Sequence, residues 1–417
     1  MKDDKKVPQL RFPEFTDAWK QRKLGDILKL LKDGTHGSHK DVTNGHYLLS
    51  AKNIKDGRIF WDKTDRIISD EDYKKIHSTF KINKGDVLLT IVGSIGETAI
   101  FNVSEEITFQ RSVAILRPID EVSSDFLYSE ITSPKFQKFL NLNKSTSAQP
   151  GIYLGDLANI SFSFPENKEE QKMIGRLFTG LNSTITLQQR KLNSLQKLKK
   201  GLLQKMFPKN GENIPEIRFP EFSDAWKQRE LGEIAERVTR RNFSLESQTP
   251  LTISAEYGLI DQNKFFGKRI AAKDLSNYYL IQKGEFAYNK STSNDAPWGA
   301  IKRLDCYNNG ALSTLYIVFK IKDNKSCYSD FLVTYYGTSL WHKGVKEIAT
   351  EGARNHGLLN VSPSDFFRTK LVIPQDFEEQ RKIGAFFTQL DNTITLQQRK
   401  LESLQKLKKG LLQQMFI

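Results

Sequence analysis

The chain contains two copies of one sequence pattern, and this duplication constrains its fold more than any other feature. Residues 7–27 return at 214–234 with 15 of 21 positions identical. Residues 169–207 return at 378–416 with 30 of 39 positions identical. The copies are offset by 207 and 209 residues, whereas the units of solenoid proteins have roughly 20–50 residues. The sequence therefore predicts a duplicated domain and not a repeat array.

The stretches between the repeated segments differ in sequence but have nearly equal lengths, 141 and 143 residues. Each mixes apolar runs typical of buried strands with stretches that begin like capped helices. We therefore expect an α+β fold, with both copies forming the same domain and carrying different surface loops. The predicted strands are 86–92, 113–117, 314–320 and 370–373, and the predicted helices are 124–131 and 329–336.

The repeated 39-residue block predicts one long helix in each copy. Apolar residues follow heptad spacing through each block, which is typical of a coiled coil. Gln188, Lys199 and their equivalents Gln397 and Lys408 interrupt this spacing at matching places and can fix the helix register. An amphipathic helix packed on its own domain is the alternative. The predicted packing positions are Ile174, Phe178, Leu181, Ile185, Leu192, Leu195, Leu202, Ile383, Phe387, Leu390, Ile394, Leu401, Leu404 and Leu411.

Two near-identical units in one chain can meet through an internal pseudo-twofold axis, which makes the two helices antiparallel. Thirty-eight residues at 1.5 Å each give a helix of about 57 Å. We expect one domain at either end of this helix pair. The predicted parts are a first α+β domain, a first long helix, a second α+β domain and a second long helix, at 1–168, 169–207, 208–377 and 378–417.

The charge of the chain favours a polyanionic partner. Lys and Arg number 63 against 49 Asp and Glu, a net charge of +14, and such an excess is typical of nucleic-acid binding. The two long helices carry +6 and +3 of it. Their lysines can lie along a phosphate backbone, or they can form a solvated or protein-docking face. Two cysteines, no apolar leader and no long apolar run predict a soluble cytoplasmic protein.

Polar loops in both copies supply the candidate DNA-contacting residues. Arg, Lys, Asn and Gln are the side chains that read guanine and adenine edges in the major groove. Loops are polar for other reasons too, so the prediction concerns the set more than any member. The set is Lys52, Asn53, Gln110, Arg111, Lys144, Ser147, Gln149, Arg240, Arg241, Asn289, Lys290, Ser291, Arg354, Asn355 and His356.

Sequence signatures of catalysis are mostly missing. The chain has no phosphate-binding glycine loop and no Pro-Pro pair of the kind found in the motif of amino-methyltransferases. Glu166 with Lys168 and Asp156 weakly resembles a nuclease pattern, and His36, His39 and His46 lack the partners of a metal site. We therefore expect no catalytic residue, no metal and no cofactor in this chain.

The order of these segments resembles the specificity (S) subunit of type I restriction-modification systems. The residues that carry the resemblance are Arg11-Phe-Pro-Glu-Phe15 with Trp19, and Pro165 followed by Glu169-Glu-Gln171 at the start of a long helix. The second copy repeats the latter as Pro374 and Glu378-Glu-Gln380. The resemblance covers essentially the whole chain.

The resemblance implies a non-catalytic subunit of an adenine methyltransferase and restriction complex. It implies two target-recognition domains that read the halves of a split DNA sequence. Because residues 28–168 and 235–377 differ, we expect an asymmetric target. The implied partners are double-stranded DNA, two methyltransferase subunits that use S-adenosylmethionine, and restriction subunits that use ATP and Mg²⁺. A basic scaffold without sequence readout and a stand-alone DNA-modifying enzyme are the alternatives.

Overall fold

The computed structural model describes residues 7–145, 150–209, 211–254, 257–293, 296–323, 326–349 and 357–417. The chain divides into two compact units. Unit 1 contains residues 1–192 and 397–417, and unit 2 contains residues 193–396. Each unit therefore combines one α+β domain with parts of both repeated helical segments.

Unit 1 is built on a four-stranded antiparallel sheet in the order β2-β10-β7-β8. The pairing of Leu116 with Leu31 and of Ile115 with Leu88 sets its register. The strands are β1 (Lys20–Lys23), β2 (Leu28–Asp33), β3 (His46–Leu49), β4 (Ile54–Lys55), β5 (Arg58–Ile59), β6 (Ile67–Ile68), β7 (Val87–Thr90), β8 (Thr98–Ile100), β9 (Thr108–Phe109), β10 (Val113–Pro118) and β11 (Ser161–Phe164).

The helices of unit 1 cover one face of this sheet and enclose the larger of its two apolar cores. Trp19, Phe126, Phe162 and Phe178 are buried in that core together with the apolar side chains on one face of β7 and β10. Two 3₁₀ turns lie at Leu24–Ile27 and Ala51–Asn53. The α-helices are α1 (Asp70–Ile76), α2 (Ser124–Ile131), α3 (Pro134–Asn143), α4 (Leu154–Ala158) and the first part of α5 (Lys168–Lys205).

Unit 2 repeats this plan, with a central antiparallel sheet in the order β13-β20-β17-β18. The strands are β12 (Lys227–Glu230), β13 (Ala235–Arg237), β14 (Leu251–Ser254), β15 (Gly258–Asp261), β16 (Tyr279–Gln282), β17 (Phe286–Asn289), β18 (Ala300–Arg303), β19 (Asn309–Leu312), β20 (Ile317–Ile321) and β21 (Lys370–Ile373). The helices are α6 (Leu231–Ile234), α7 (Gln262–Phe266), α8 (Ser329–Tyr336), α9 (Leu340–Ile348), α10 (Pro363–Phe367) and α11 (Phe377–Met415).

The strands and helices predicted between the repeated segments are confirmed. The predicted strands correspond to β7, β10, β20 and β21, and the two predicted helices are α2 and α8. The sheet order is the same in both units, and β1 with β11 matches β12 with β21. The prediction of an α+β fold present twice is therefore correct.

The residues that recur at the start of each copy hold the long helix on its domain. Glu170 is fully buried and accepts hydrogen bonds from Arg11 at 2.6 and 2.7 Å and from the Trp19 indole at 3.4 Å. In unit 2, Glu379 receives the same bonds from Arg218 and Trp226, with the indole at 3.2 Å. A buried carboxylate needs such partners to offset its desolvation. These recurring residues are therefore structural.

The 39-residue blocks form single long helices, as predicted, and their course within each unit is antiparallel. In unit 1 the Gln397 amide bonds the Gln188 backbone oxygen at 3.4 Å, whereas Phe416 packs on Phe178 with ring centres 5.6 Å apart. From the first contact to the second, the residue number falls in α5 and rises in α11, so the two segments are antiparallel. In unit 2 the same order appears, since Lys199 bonds Asp391 at 2.5 Å and Phe207 packs on Phe387.

The aromatic residue that closes each helical block completes an apolar core. Phe416, near the end of the chain, lies 5.6 Å from Phe126 and 6.2 Å from Trp19 in the core of unit 1. Phe207 occupies the equivalent place in unit 2, 5.6 Å from Trp226. The core of unit 1 thus includes a residue far from its domain in the sequence, whereas Phe207 directly precedes the domain of unit 2.

The predicted packing positions on the helices are all buried or half-buried. Ile174, Phe178, Leu192, Ile383, Phe387 and Leu401 are buried, and the other eight are intermediate. The polar positions are also engaged, because the side chains of Gln188 and Gln397 bond each other and Lys199 bonds Asp391. Burial lowers the pKa of Lys408, which faces Asp56 and Glu97 of unit 1.

Candidate nucleic-acid interface

Several polar loops of unit 1 meet at one end of its central sheet. The register places the end of β2, the start of β10 and the end of β7 at this edge, since Asp33 pairs with Ala114 and Thr90 with Val113. The following loops are then tied to one another. The Arg111 amide donates to the Thr35 oxygen at 3.0 Å, and the Gln110 amide donates to the Leu49 oxygen at 2.8 Å.

Arg111 and Gln110 lie in the turn that leads into β10. The Arg111 side chain is exposed, and Gln110 is half-buried. The backbone amide of Ala51 donates to the Ser112 hydroxyl at 3.0 Å, which joins this turn to the loop containing Lys52. The structure therefore brings together two loops that are separated by about 60 residues in the sequence.

Lys52 and Asn53 differ in their availability to a ligand. Asn53 is 2% exposed, and its amide donates to the Phe60 oxygen at 3.1 Å and to Asp65 at 3.0 Å. It also accepts from the Ser50 amide at 2.9 Å, so its hydrogen-bonding groups shape the turn. Lys52 is exposed and pairs with the same Asp65 at 2.7 Å. In this conformation Asn53 has a structural role, and Lys52 remains a candidate.

Residues 91–96 form a further loop at this edge that the sequence analysis missed. The Ile91 amide donates to the Ser112 oxygen at 2.9 Å, and Val92 forms a β-bridge with Gly151. Gly93 and Gly96 have φ values of +84° and +98°, conformations that favour glycine. The sequence feature that could have predicted this loop is a pair of glycines directly after a buried strand.

Lys144, a further candidate of unit 1, lies near the same loop. Lys144 is exposed just after α3, and the neighbouring Ser145 amide donates to the Gly151 oxygen at 2.9 Å. Ser147 and Gln149 lie outside the described residues. Contact of any of these side chains with DNA stays a prediction.

In unit 2, Arg240 lies near the start of β17, at the end of the sheet opposite to Asn289. Arg240 donates from one guanidinium nitrogen to both oxygens of Glu285, at 2.9 and 2.8 Å. Glu285 occupies the same turn position as Asp86, which binds Arg117 in unit 1 at 2.8 Å. The ion pair therefore holds the Arg240 guanidinium against Glu285.

Arg241 lies on the surface beside the Arg240 ion pair. Its guanidinium lies 4.7 Å above the ring of Tyr279 and donates to the Asn277 oxygen at 2.5 Å. These contacts hold a half-exposed cation beside β16. Arg241 is thus positioned, and not buried, by its partners.

Asn289, Lys290 and Ser291 lie where β17 ends. Asn289 belongs to the strand itself, and its side-chain oxygen accepts from the Ser291 amide at 3.0 Å. The Lys290 ammonium donates to the Val361 oxygen at 3.3 Å. Burial, and then the charge of Arg237, lower the pKa of Lys290. Ser291 is exposed. Arg354, Asn355 and His356 lie outside the described residues.

Neither an assembled metal site nor a membrane helix is found in the described parts of the chain. No group of three His, Cys, Asp or Glu side chains there is placed to hold a metal ion. His36 and His46 instead pair with the separate carboxylates Asp33 and Asp70. Glu166 pairs with Lys20 at the surface. No helix in these parts is long and apolar enough to cross a bilayer.

Two domains of one topology, each with its own polar loops at the same sheet edge, define a duplicated recognition protein. The chain belongs to the family described as type I restriction modification DNA specificity domain, which it matches twice, at residues 16–197 and 223–406. The family identified from the sequence is therefore correct. The comparisons support a specificity subunit over a scaffold that does not read DNA sequence and over a stand-alone enzyme.

Individual relatives agree with this assignment. The chain is 23% identical over 421 residues to the putative type I restriction enzyme MjaX specificity subunit of Methanocaldococcus jannaschii, covering 96% of this chain and 93% of that protein. It is 26% identical to the EcoBI specificity subunit of Escherichia coli, over 46% of this chain and 41% of that one. The crystal structure of the S subunit from M. genitalium has a TM-score of 0.63 at 16% identity and covers 99% of both chains.

Proposed function

We propose that this chain reads a bipartite, asymmetric DNA sequence, one half with each unit, and has no catalytic residue of its own. The observation that carries this proposal is the combination of identical sheet order with different loops at the same sheet edge. Unit 1 presents Arg111 and Lys52 there, whereas unit 2 presents Asn289 and Ser291. Different side chains on one scaffold favour different base sequences.

The long helices support a second part of the proposal, docking of two methyltransferase subunits. Leu187 and its equivalent Leu396 are 59% and 65% exposed, and Leu198 and its equivalent Leu407 are 52% and 51% exposed. Large apolar residues exposed at matching places in both copies favour a protein partner that binds twice.

The cofactors of the reaction belong, in this proposal, to the partners of the chain. The methyltransferase subunits use S-adenosylmethionine to methylate adenine, and restriction subunits use ATP and Mg²⁺. The complex acts in the cytoplasm, where its DNA substrate is found.

A methylation map tests this proposal. The chain is expressed in cells with its cognate methyltransferase subunit, and each protein is also expressed alone. We expect one gapped, asymmetric adenine-methylation motif that requires both proteins. A stable complex that yields no motif contradicts sequence reading and leaves a basic scaffold. Methylation by this chain alone contradicts the absence of a catalytic site.

A further inference from the structure

Unit 2 carries an exposed stretch that combines cations with large apolar side chains. The basic-aromatic segment, defined here as residues 264–273, begins with seven consecutive exposed residues. Phe265, Phe266 and Ile270 are 47%, 46% and 51% exposed. Three large apolar side chains so close together on a surface indicate a contact with another molecule.

Local hydrogen bonds hold the basic-aromatic segment in a defined shape. Asp261 caps α7 by accepting from the Asn263 and Lys264 amides at 2.9 and 3.4 Å. Gly267 then ends the helix at φ +64°. Arg269 donates to the Ala272 and Lys273 oxygens, both at 2.9 Å. The exposed side chains are therefore presented from an ordered backbone.

The charge of the segment is entirely positive. Lys264, Lys268, Arg269 and Lys273 give +4 without a single acidic residue. In the described part of the chain, no carboxylate forms an ion pair with any of these four residues. Exposed cations without acidic partners, next to aromatic rings, match a ligand that offers both phosphates and flat apolar surfaces.

The segment is connected to the surface around Arg241, one of the candidate DNA-contacting residues of unit 2. The Ala272 amide donates to the Tyr278 hydroxyl at 3.3 Å, and the Asn242 amide group donates to the Leu275 oxygen at 3.3 Å. Arg241 bonds the Asn277 oxygen in the same connection. The basic-aromatic segment thus continues the surface that contains Arg240 and Arg241.

The corresponding stretch of unit 1 has the opposite charge. Counted back from the shared turn at 82–86 and 281–285, the match to residues 264–273 is 65–74. That stretch contains two cations and four acids, a net charge of −2. Asp70, Glu71 and Asp72 begin α1 there. The basic-aromatic surface is therefore a property of unit 2 and not of the shared scaffold.

We propose that the basic-aromatic segment is a DNA-contacting element of unit 2, with its lysines on phosphates and Phe265 and Phe266 against the sugars and bases of the same duplex. This inference rests on the proposed function, because it assumes that unit 2 binds DNA. It adds residues that the polar-loop candidates did not include. It also makes the two units unequal in their electrostatic contribution to binding.

The test uses the full complex with its methyltransferase subunit and a duplex carrying the motif mapped for the unaltered complex. Binding is measured between 50 and 300 mM salt. The triple variant Lys264→Gln, Lys268→Gln, Lys273→Gln should lower the salt slope by about 2–3. The double variant Phe265→Ala, Phe266→Ala should weaken binding about tenfold with the slope unchanged. Lys346→Gln, an exposed lysine on α9, is the matched control.

The outcomes separate this inference from the proposed function. If the unaltered complex does not prefer its motif, the proposed function fails. If it does, and both variants bind with unaltered slope and affinity, the inference is overturned and the proposed function stands. Variants that fail to assemble with the methyltransferase subunit, as seen by size-exclusion chromatography, also overturn it and make the segment a protein-docking surface. Thermal unfolding of each variant checks that the surface changes leave the fold intact.

Discussion

Individual residues of this chain divide into those that build the scaffold and those that are free to contact a ligand. The recurring Arg11, Trp19 and Glu170 belong to the first class, and so does Asn53, whose amide is buried in a turn. Arg111 and Ser291 belong to the second, since their side chains are exposed at the sheet edge. Residue type alone did not separate these classes, because Asn and Arg occur in both.

The Glu170 site gives a direct test of the structural role of the recurring residues. Glu170→Ala leaves the Arg11 guanidinium without its carboxylate partner at a largely buried site, so we expect a loss of about 3–5 kcal/mol in unfolding free energy. Urea denaturation measures it, and Glu379→Ala should behave alike in unit 2. The neighbouring Glu169, which is exposed, is the control, and Glu169→Ala should change stability far less than Glu170→Ala. Equal effects at Glu169 and Glu170 would contradict this assignment.

Glu130 is a buried acid that forms no ion pair with the described residues, and it predicts a pH dependence of stability. It is 4% exposed, and one of its carboxyl oxygens has no hydrogen-bond partner in the parts of the chain that the structure describes. Burial raises the pKa of Glu130 to about 8. The folded state therefore keeps a proton that the unfolded state loses above its ordinary pKa of 4.5. Stability from this group is complete below about pH 4.5 and declines as the pH rises towards 8.

The variant Glu130→Gln isolates this effect because glutamine stays neutral. We expect the difference in unfolding free energy between Glu130→Gln and the unaltered chain to grow in favour of the variant, by several kcal/mol, between pH 5 and 8. Urea denaturation across this pH range measures it. Parallel pH profiles for the two proteins would show that Glu130 does not retain its proton on folding.

At the scale of elements, close packing of the long helices on their domains depends on two equivalent glycines. A Cβ atom on Gly175 would lie 2.5 Å from the Asp125 Cβ, and one on Gly384 would lie 2.6 Å from the Phe331 amide nitrogen. α5 therefore contacts α2 in unit 1, and α11 contacts α8 in unit 2, with almost no space between the helices. Both glycines recur at the same place in the repeated block.

Alanine at these positions has two opposite effects on stability, a gain in helix propensity and a clash with the neighbouring helix. Alanine stabilises a free helix relative to glycine by about 1 kcal/mol. Gly175→Ala should nevertheless destabilise unit 1 by about 1–3 kcal/mol, because the backbone of α2 must move. Gly180→Ala is the control, since nothing lies within 4 Å of its Cβ position, and it should be neutral or stabilising. Thermal unfolding compares the two, and a stabilising Gly175→Ala would contradict the tight contact.

At the scale of the whole molecule, the duplicated plan predicts that recognition is modular. Each unit has its own sheet and its own loops, and the repeated segments hold a long helix on each domain. We expect that replacing residues 28–168 by those of another family member changes one half of the methylation motif and leaves the other half intact. Methylation mapping of the hybrid measures this, and the exchange of 235–377 is the reciprocal control. A change in both halves would contradict modular reading.

The sequence by itself determined the duplication, the α+β content, the long helices and the family. These features depend on repeats and on local periodicity, both of which can be read along the chain. Heptad spacing also assigns one face of each helix from the sequence, whatever its partner, and the residues on that face are buried or half-buried.

Only the tertiary structure decided which polar residues are available at the candidate interface. Asn53 and Arg240 have the right chemistry, but Phe60, Asp65 and Glu285 occupy their hydrogen-bonding groups. The loop at 91–96 joins the site only because antiparallel pairing brings the ends of β7 and β2 to one edge. Availability depends on partners that are distant in the sequence, and a single sequence contains no record of which distant groups will meet.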